Sequence, residues 1–213
     1  MDKYRIKTLE QLRQVIPSNE KHQQIVRDQR FDTVEAGERL FIADSPLVFF
    51  ATANADGHVD VAPRGGNPGF VKCQDEKNLL FPELRGNHDA RNLRNILQNN
   101  QVGLVFLVPK RPEVMRITGW ASITADPELL ELLKDTGMPP KLCIKIEIKE
   151  CFLHCGRALN LSHLWRPENW AEPNKKFRKR IRKKSGKVDL LDCLLYTSPS
   201  PRDQRGSRMP SSA

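Results

Sequence analysis

Short strand-like runs separated by tight turns are the feature that most constrains what this chain can fold into. Residues 47–53 are apolar and aromatic, and a second run follows the Asp56–Gly57 pair. Glycine supplies the positive φ that a two-residue turn needs, so this arrangement predicts a β-hairpin. Residues 69–82 repeat the pattern, with a polar turn at 75–78 between two further strands.

Three longer runs complete the set of strands. The continuous apolar run 102–108 is typical of a strand buried on both faces. Residues 114–124 alternate, and residues 141–155 alternate apolar with charged side chains, as a strand with one wet face does. About six strands, joined mostly by short turns, predict an antiparallel barrel that is mainly β with flanking helices.

Apolar residues at helical spacing predict the flanking helices. In the first thirty residues a helix ends before Pro17, and its apolar residues are Leu9, Leu12, Val15 and Ile16. Ser18 is a suitable N-cap for a second short helix. Further helices are predicted over 89–97, 128–133 and 158–164. The one over 89–97 has Leu93, Ile96 and Leu97 on one face, and Asp126 caps the one over 128–133.

The net charge of +9 is confined to one segment near the end of the sequence. Residues 175–187 hold nine Lys and Arg and no acid, while three arginines and three aspartates balance over 188–213. Residues 1–174 are therefore neutral overall. So dense a run of like charge is typical of a solvated, disordered segment, although it would also attract polyanions such as nucleic acid.

The sequence divides into three segments: N-terminal helices over 1–30, one domain over 31–170, and a basic, low-complexity tail over 171–213. The tail is expected to be disordered, and from about residue 190 it resembles a translated library adapter rather than native coding sequence. No run approaches the ~20 apolar residues that span a bilayer, and the N-terminus has no apolar core of a secretory signal. We therefore expect a cytoplasmic protein with no membrane partner.

Cysteine usage argues against disulfides and against a metal. The five cysteines are an odd number with no even spacing, so reduced thiols are expected. Cys151, His154 and Cys155 lie close together, but they supply only three ligands, and a strand would turn the histidine away from both cysteines. We expect no metal site.

The loop over 62–70 is one candidate for binding an anion. It places Arg64 among three glycines and two prolines. Glycine allows a ligand to approach the backbone closely, and a guanidinium matches the geometry of a phosphate. A long turn with a solvated arginine is the alternative interpretation.

The loop over 84–89 is the second candidate. It leads into a predicted helix, whose unpaired N–H groups and dipole favour an anion. Several polar residues lie within it or just after it: Arg85, Asn87, His88, Arg91 and Arg94. An ordinary N-cap at Asn87 or Asp89 is the alternative. Two such loops at successive strand ends of a neutral domain favour a phosphate site.

Gly119 lies in the middle of a predicted strand, where glycine weakens the strand unless something packs closely on it. A flat ring packed on the backbone is one explanation, and a bulge or barrel corner is the other.

Four sequence motifs occur in order: FFATANADGHVDVAPRGGNPGFVKC (49–73), LLFPELRGNHDARNLRNILQNNQVGLVFLVP (79–109), RITGWASI (116–123) and FLHCGRALNLSHLW (152–165). Together they resemble the pyridoxamine 5'-phosphate oxidase family of FMN-binding split barrels, over roughly residues 30–170. The resemblance implies a six-stranded antiparallel split β-barrel that forms a homodimer, with FMN held at the interface between the two copies.

The resemblance also implies roles for individual residues. The phosphate and ribityl chain of FMN would be held by Arg64, Gly65, Lys72, Asn87, His88 and Arg91. The flavin ring would lie near Arg116 and Thr118, and a small-molecule substrate would meet His154 and Arg157. The resemblance identifies no catalytic side chain, because the flavin carries the chemistry in such enzymes.

The chain departs from the family at the site itself. His88 stands where relatives often have arginine, Pro82 and Glu83 replace hydroxyl-bearing residues, and no segment for binding pyridoxamine phosphate is recognisable. The sequence therefore predicts an FMN-dependent oxidoreductase with an unidentified substrate. The alternatives are a true pyridoxamine phosphate oxidase, a reductase acting with a nicotinamide or xenobiotic, a flavin-binding protein without oxidase activity, and a nucleic-acid binder acting through 175–187.

Overall fold

A computed structural model describes residues 4–17, 19–84, 90–136 and 139–172. The helices of this part are α1 (Leu9–Val15), α2 (Glu20–Asp28), α3 (Ala36–Asp44), α4 (Arg91–Gln98), α5 (Pro127–Leu132) and α6 (Arg157–Leu161), followed by a 3-10 turn at Pro167–Asn169. The strands are β1 (Leu47–Ala53), β2 (Val59–Gly65), β3 (Lys72–Cys73), β4 (Asn78–Glu83), β5 (Gln101–Leu107), β6 (Glu113–Thr124) and β7 (Leu142–Cys155).

The strands form one antiparallel sheet in the order β2-β1-β5-β6-β7-β4-β3. The predicted class, mainly β with flanking helices, is confirmed, but the described residues hold seven strands rather than six. β3 corresponds to the predicted strand before the polar turn at 75–78, and it pairs with β4 over only two residues. β7 pairs with β6 along one edge and with β4 along the other, so it joins the two parts of the sheet.

The sheet curls so that strands from its two parts meet across a shared core. Phe50 on β1 stacks on Phe81 of β4 with ring centroids 5.1 Å apart, and Phe70 meets Phe81 edge-on at 5.7 Å. β1 and β4 are not neighbours in the strand order, so this contact spans the barrel interior. All three rings are almost fully buried, and burial of such a side chain contributes about 1.5–3 kcal/mol. The architecture is the expected split barrel.

Helix α3 was not predicted from the sequence. It begins with a capping box, in which the Glu35 and Glu38 side chains each accept from the backbone N–H of the other residue. Phe41 and Ile42 then enter the core. Two buried residues in a nine-residue helix give too weak a periodicity to distinguish it from a loop.

Other sequence predictions differ from the structure in detail. β5 is not buried on both faces, because Gly103 and Val105 are only half-buried. α4 begins at Arg91 rather than at residue 89, and it follows Ala90, which has a positive φ of 48°. The Asp126 side chain does cap α5, where it accepts from the backbone N–H of Glu128 at 2.9 Å. Ser18 lies outside the described residues.

A short backbone bridge ties the N-terminal segment to the barrel. Phe31 and Cys151 exchange two hydrogen bonds, at 3.0 Å and 2.6 Å, beside the C-terminal half of β7. Preceding this bridge, α1 contains no buried side chain. In the part of the chain that the structure describes, no helix has the length and apolar character needed to cross a membrane.

Candidate cofactor site

A polar cluster occupies the contact between α4 and the hairpin of β1 and β2. Thr52 of β1 is 3% exposed, and its hydroxyl oxygen accepts from the side-chain amides of Asn92 and Asn95, each at 3.0 Å. Both asparagines belong to α4 and are buried. An unpaired amide costs about 1–3 kcal/mol when buried, so this shared acceptor is needed to hold the helix here.

Asn92 extends the cluster to β2. Its amide nitrogen also donates to Asp60 Oδ2 at 3.0 Å, and Asp60 Oδ1 lies 3.5 Å from the guanidinium of Arg91. The Asn92 amide is therefore fully engaged on its donor side. It fixes the start of α4 against the edge strand of the sheet.

Arg64 on β2 meets Glu83 on β4 where the two parts of the sheet approach each other. Arg64 Nη1 lies 3.4 Å from Glu83 Oε1, and Arg64 Nη2 donates to Asn92 Oδ1 at 2.9 Å. The Arg64 side chain is 26% exposed and that of Glu83 is 16% exposed. The pair links β2 to β4, which are far apart in the strand order.

This pair leaves two buried polar atoms without a hydrogen-bond partner in the described part of the chain: Arg64 Nε and Glu83 Oε2. Burial raises the pKa of the Glu83 carboxyl above its ordinary value, and the nearby Arg64 guanidinium opposes that rise. An orphaned guanidinium N–H is a donor of the kind a phosphate oxygen accepts from. An orphaned carboxylate oxygen repels a phosphate instead.

The N-terminus of α4 lies beside Arg64 through Asn92. Its N-cap residue, Ala90, makes no side-chain cap hydrogen bond. The predicted N-caps, Asn87 and Asp89, and the predicted phosphate ligand His88 lie outside the described residues. Positive partial charge at a helix N-terminus adds to that of Arg64 at this corner of the barrel.

A second group of predicted residues lies on the outer face of the sheet. The register aligns Arg116 with Val105 and Thr118 with Gly103, so these side chains point away from the barrel interior. Thr118, with Trp120 one step further along the face, lines an open cavity of about 480 Å³ that also reaches Ala51.

Polar residues surround the ring of Phe152, which lies opposite Arg116 where β6 pairs with β7. The guanidinium carbons of Arg30 and Arg116 each lie 5.1 Å from the centre of its ring, and His154 meets it edge-on at 6.3 Å. Arg30 also pairs with Glu150 at 3.0 Å. Two cations against one ring are held by cation–π attraction, which favours an exposed positive surface here.

The structure therefore divides the predicted site residues between two faces of the sheet. Arg64 and Arg91 lie around Asn92 on the interior side, whereas Arg116 and Thr118 lie on the outer face. The remaining predicted residues are dispersed: Gly65 ends β2, Lys72 is on β3, His154 is exposed on β7, and Arg157 is exposed at the start of α6.

Sequence reasoning missed the polar residues that organise the interior cluster, namely Thr52, Asp60, Asn92 and Asn95. The predicted apolar face of α4 was wrong in part, because Leu97 is 77% exposed while the two asparagines are buried. Asn92 and Asn95 are three residues apart, which places them on one face of the helix. That spacing was the available signal.

The neighbouring strand explains why residue 119 is a glycine. A Cβ at this position would lie 2.2 Å from the carbonyl oxygen of Glu147 on β7, and the register shifts between Thr118 and Gly119. The glycine thus permits a bulge between β6 and β7.

The four cysteines of the described residues are free thiols, and Cys193 lies outside that part of the chain. Cys151 is buried beside Met115, and burial raises the pKa of its thiol to about 12, whereas Cys155 is exposed at the end of β7. Within the described ranges, no group of three or more His, Cys, Asp or Glu side chains is arranged to hold a metal.

Comparison with known structures gives proteins of similar fold. HupZ of Group A Streptococcus is 21% identical, with 56% of this chain and 93% of that chain covered and a TM-score of 0.47. An FMN-binding protein of Syntrophomonas wolfei is 16% identical, with 68% and 95% covered and a TM-score of 0.46. General Stress Protein 26 of Bacillus anthracis is 15% identical, with 54% and 88% covered and a TM-score of 0.40.

No match was found among curated proteins. The family model for pyridoxamine 5'-phosphate oxidase, in contrast, matches residues 36–155, which run from the start of α3 to the end of β7. This match covers more than half of the chain and includes every strand of the barrel. The chain belongs to the pyridoxamine 5'-phosphate oxidase family.

Proposed function

We propose that this protein binds FMN at the corner formed by β2, β4 and the N-terminus of α4, and uses it as an oxidoreductase on an unidentified small molecule. The observation that carries the proposal is the orphaned, buried Nε of Arg64 beside the helix N-terminus. A phosphate oxygen supplies the acceptor that this N–H lacks.

The interior cluster would act as the phosphate-binding platform. Asn92 holds one side of the Arg64 guanidinium at 2.9 Å, so the orientation of the fork is fixed before a ligand arrives. Such preorganisation removes part of the entropic cost of binding. Bound flavin would supply hydride chemistry that no acid–base pair among these residues provides.

Residues on the outer face would complete the site from a second copy of the chain. Arg116 and Thr118 cannot line the same pocket as Arg64 within one copy, because they lie on the opposite face of the sheet. The outer face is also apolar and exposed, with Val59 at 70%, Val61 at 58% and Phe49 at 39%. A homodimer that buries this face would supply the second copy of the chain.

The positive surface around Phe152 would hold an anionic group of the substrate. Arg30, Arg116 and His154 surround this ring, and Arg157 follows shortly after β7. His154 and Arg157 would then bind the substrate, as the resemblance implies. Arg116 would contact both the flavin ring and the substrate.

A flavin-binding protein without oxidase activity is the second candidate. The observation that favours it is Glu83, whose carboxylate occupies the same guanidinium that a phosphate would use. Weak retention of the cofactor would leave a carrier or a transient flavin binder rather than an enzyme with a resident flavin.

FMN binding tests the proposal directly. The full chain is titrated with FMN and with riboflavin, which lacks the phosphate, and flavin fluorescence is followed. We expect Arg64→Ala to weaken FMN binding by about tenfold or more, because it removes charge-assisted hydrogen bonds worth about 1.5–3 kcal/mol. Riboflavin binding should change much less.

Arg111→Ala is the matched control, since Arg111 is an exposed arginine whose nearest acid, Asp44, is 4.0 Å away. It should bind FMN as the wild type does. If the folded wild-type protein binds neither flavin, the FMN proposal is wrong. If FMN binds but a panel of reduced nicotinamides and amine substrates leaves its absorbance unchanged, the second candidate is favoured.

A further inference from the structure

Glu83 places a carboxylate at the corner where a phosphate would bind. Its Oε1 lies 3.4 Å from Arg64 Nη1, and its Oε2 is buried without a hydrogen-bond partner among the described residues. Most buried carboxylate oxygens in folded proteins have a hydrogen-bond partner, so this oxygen calls for an explanation. Only one oxygen of Glu83 contacts Arg64, and the Nε of that guanidinium also lacks a hydrogen-bond partner among the described residues.

Among the described residues, little else lies near Glu83 to balance its charge. Arg64 of β2 is the charged side chain that it contacts in the described structure, and Leu142, its pairing partner on β7, is apolar. The nearest residue of α4 is the neutral Asn92, which contacts Arg64 rather than Glu83. Asp60 and Arg91 are more distant, since Asp60 contacts Asn92 and Arg91 contacts Asp60. Within the described part of the chain, Arg64 is therefore the charged partner that governs the charge state of Glu83.

A phosphate bound to Arg64 would place about 1.5 to 2 negative charges beside this carboxylate at neutral pH. A like charge at such short range favours the protonated form of a carboxyl group. The carboxyl is already inclined that way, since burial raises its pKa in the absence of any ligand. Protonation would also turn the orphaned Oε2 into an O–H donor toward the phosphate.

We propose that Glu83 is a proton-accepting residue of the phosphate site: it neutralises Arg64 when the site is empty and takes up one proton from solvent when a phosphate-bearing flavin binds. This inference rests on the proposed FMN function. It makes Glu83 a specificity residue, because a ligand without a phosphate would leave the Arg64–Glu83 pair intact and bind without proton uptake.

The test measures proton uptake on binding by calorimetry of the full chain at pH 7, in buffers of different ionisation enthalpy, with FMN and with riboflavin. We expect wild-type protein to take up a substantial fraction of a proton with FMN and none with riboflavin. Phosphate monoesters themselves titrate near pH 6, and a guanidinium favours their dianion, so the phosphate of FMN releases protons on binding and does not add to the uptake. Comparison of the variants corrects for this release.

Glu83→Gln isolates the role of the carboxyl group. It should lose most of the uptake with FMN, bind FMN about tenfold more tightly at pH 8, and bind riboflavin unchanged. Glu147→Gln is the control, because Glu147 is an exposed carboxylate on the adjacent strand β7. It should match the wild type in both uptake and affinity.

The outcomes separate the two proposals. FMN binding with equal proton uptake in wild type and Glu83→Gln, or with no gain in affinity, overturns the role of Glu83 and leaves FMN binding standing. Absence of binding by both flavins in the folded wild-type protein overturns the FMN proposal and this inference together. If Glu83→Gln does not fold, net proton uptake with FMN despite the release from the phosphate still decides the matter on wild-type protein.

Discussion

At Gly119 the absence of a side chain lets β6 lie directly against the backbone of β7. The carbonyl oxygen of Glu147 would be 2.2 Å from a Cβ there, well inside van der Waals contact. Gly103, on the adjacent strand β5, has only the Ala51 methyl group near its position, at 3.8 Å. Both glycines lie within a strand, but a Cβ would clash with the neighbouring backbone only at Gly119.

We expect Gly119→Ala to lower the free energy of unfolding by about 1–3 kcal/mol, because the strands must separate locally to admit the methyl group. Gly103→Ala should be neutral or slightly stabilising, since alanine restricts the unfolded chain and meets no close atom. Chemical denaturation of both variants measures the difference. Equal losses in the two would show that the bulge between β6 and β7 tolerates a side chain.

At the scale of elements, α4 is held by polar contacts as well as by the apolar contact of Ile96 with the core. The single hydroxyl of Thr52 accepts from two buried amides, while Leu97 of the same helix is turned to solvent. The position of α4 matters for function, because its Asn92 also orients Arg64. Loss of the hydroxyl should therefore affect stability and ligand binding together.

Thr52→Val keeps the branched shape and strand preference of threonine but removes the acceptor. We expect it to lower the free energy of unfolding by about 1–3 kcal/mol. The Asn95 amide nitrogen loses its acceptor, and the Asn92 amide nitrogen keeps Asp60 as its one acceptor among the described residues. Thr118→Val, at an exposed position of the same sheet, should change stability by less than about 0.5 kcal/mol. Thermal unfolding of both variants checks this. A small loss in Thr52→Val would mean that water replaces the hydroxyl.

The strands were predictable from sequence to a much greater degree than the helices that shape the site. Alternation and the Asp56–Gly57 turn identified the hairpin of β1 and β2, because period-two patterns depend on local burial alone. α4 was predicted to bury its apolar residues, and Ile96 does enter the core, but Leu97 is exposed. The barrel offers Thr52 and Asp60 at this contact, so two asparagines are buried there as well. Their three-residue spacing is visible in the sequence, but polar residues give no hydrophobic periodicity.

The same reasoning explains the partial prediction of the site. Arg64 was identified from its glycine-rich surroundings, and Glu83 was noticed only as a departure from the family pattern. That the two form a pair depends on the curling of the sheet, which brings β2 and β4 together although they are not neighbours in the strand order. Similarly, the side of the sheet on which Arg116 lies follows from strand register, which a sequence alone leaves open.

At the scale of the whole molecule, the outer face of the sheet exposes apolar side chains that a second copy of the chain could cover. Val59 and Val61 on β2 lie beside Phe49 and Ala51 of β1, and the same face continues to Val105 of β5. Contiguous apolar surface of this kind is uncommon on a monomer. A homodimer formed through this face is what the proposed site requires.

We expect Val61→Glu to convert a dimer into a monomer, because a charge buried in the interface would cost about 3 kcal/mol, roughly 100-fold in the dissociation constant. Leu40→Glu, at a position on α3 that is 67% exposed, should leave the dimer intact. Light scattering coupled to size exclusion measures both. A wild-type protein that is monomeric at all concentrations, or a dimer unaffected by Val61→Glu, would contradict assembly through this face.

The position of β7 in the sheet has a consequence for how the protein is made. β7 is the last strand along the described chain, yet it alone joins β4 to β6. While the ribosome is still working, the hairpin of β3 and β4 has no place to dock, since Asn78 must wait for Glu147 to emerge. Closure of the barrel, and with it the meeting of Arg64 and Glu83, therefore waits until β7 has been synthesised. Until then the unpaired edges of the earlier strands are open to association with other chains.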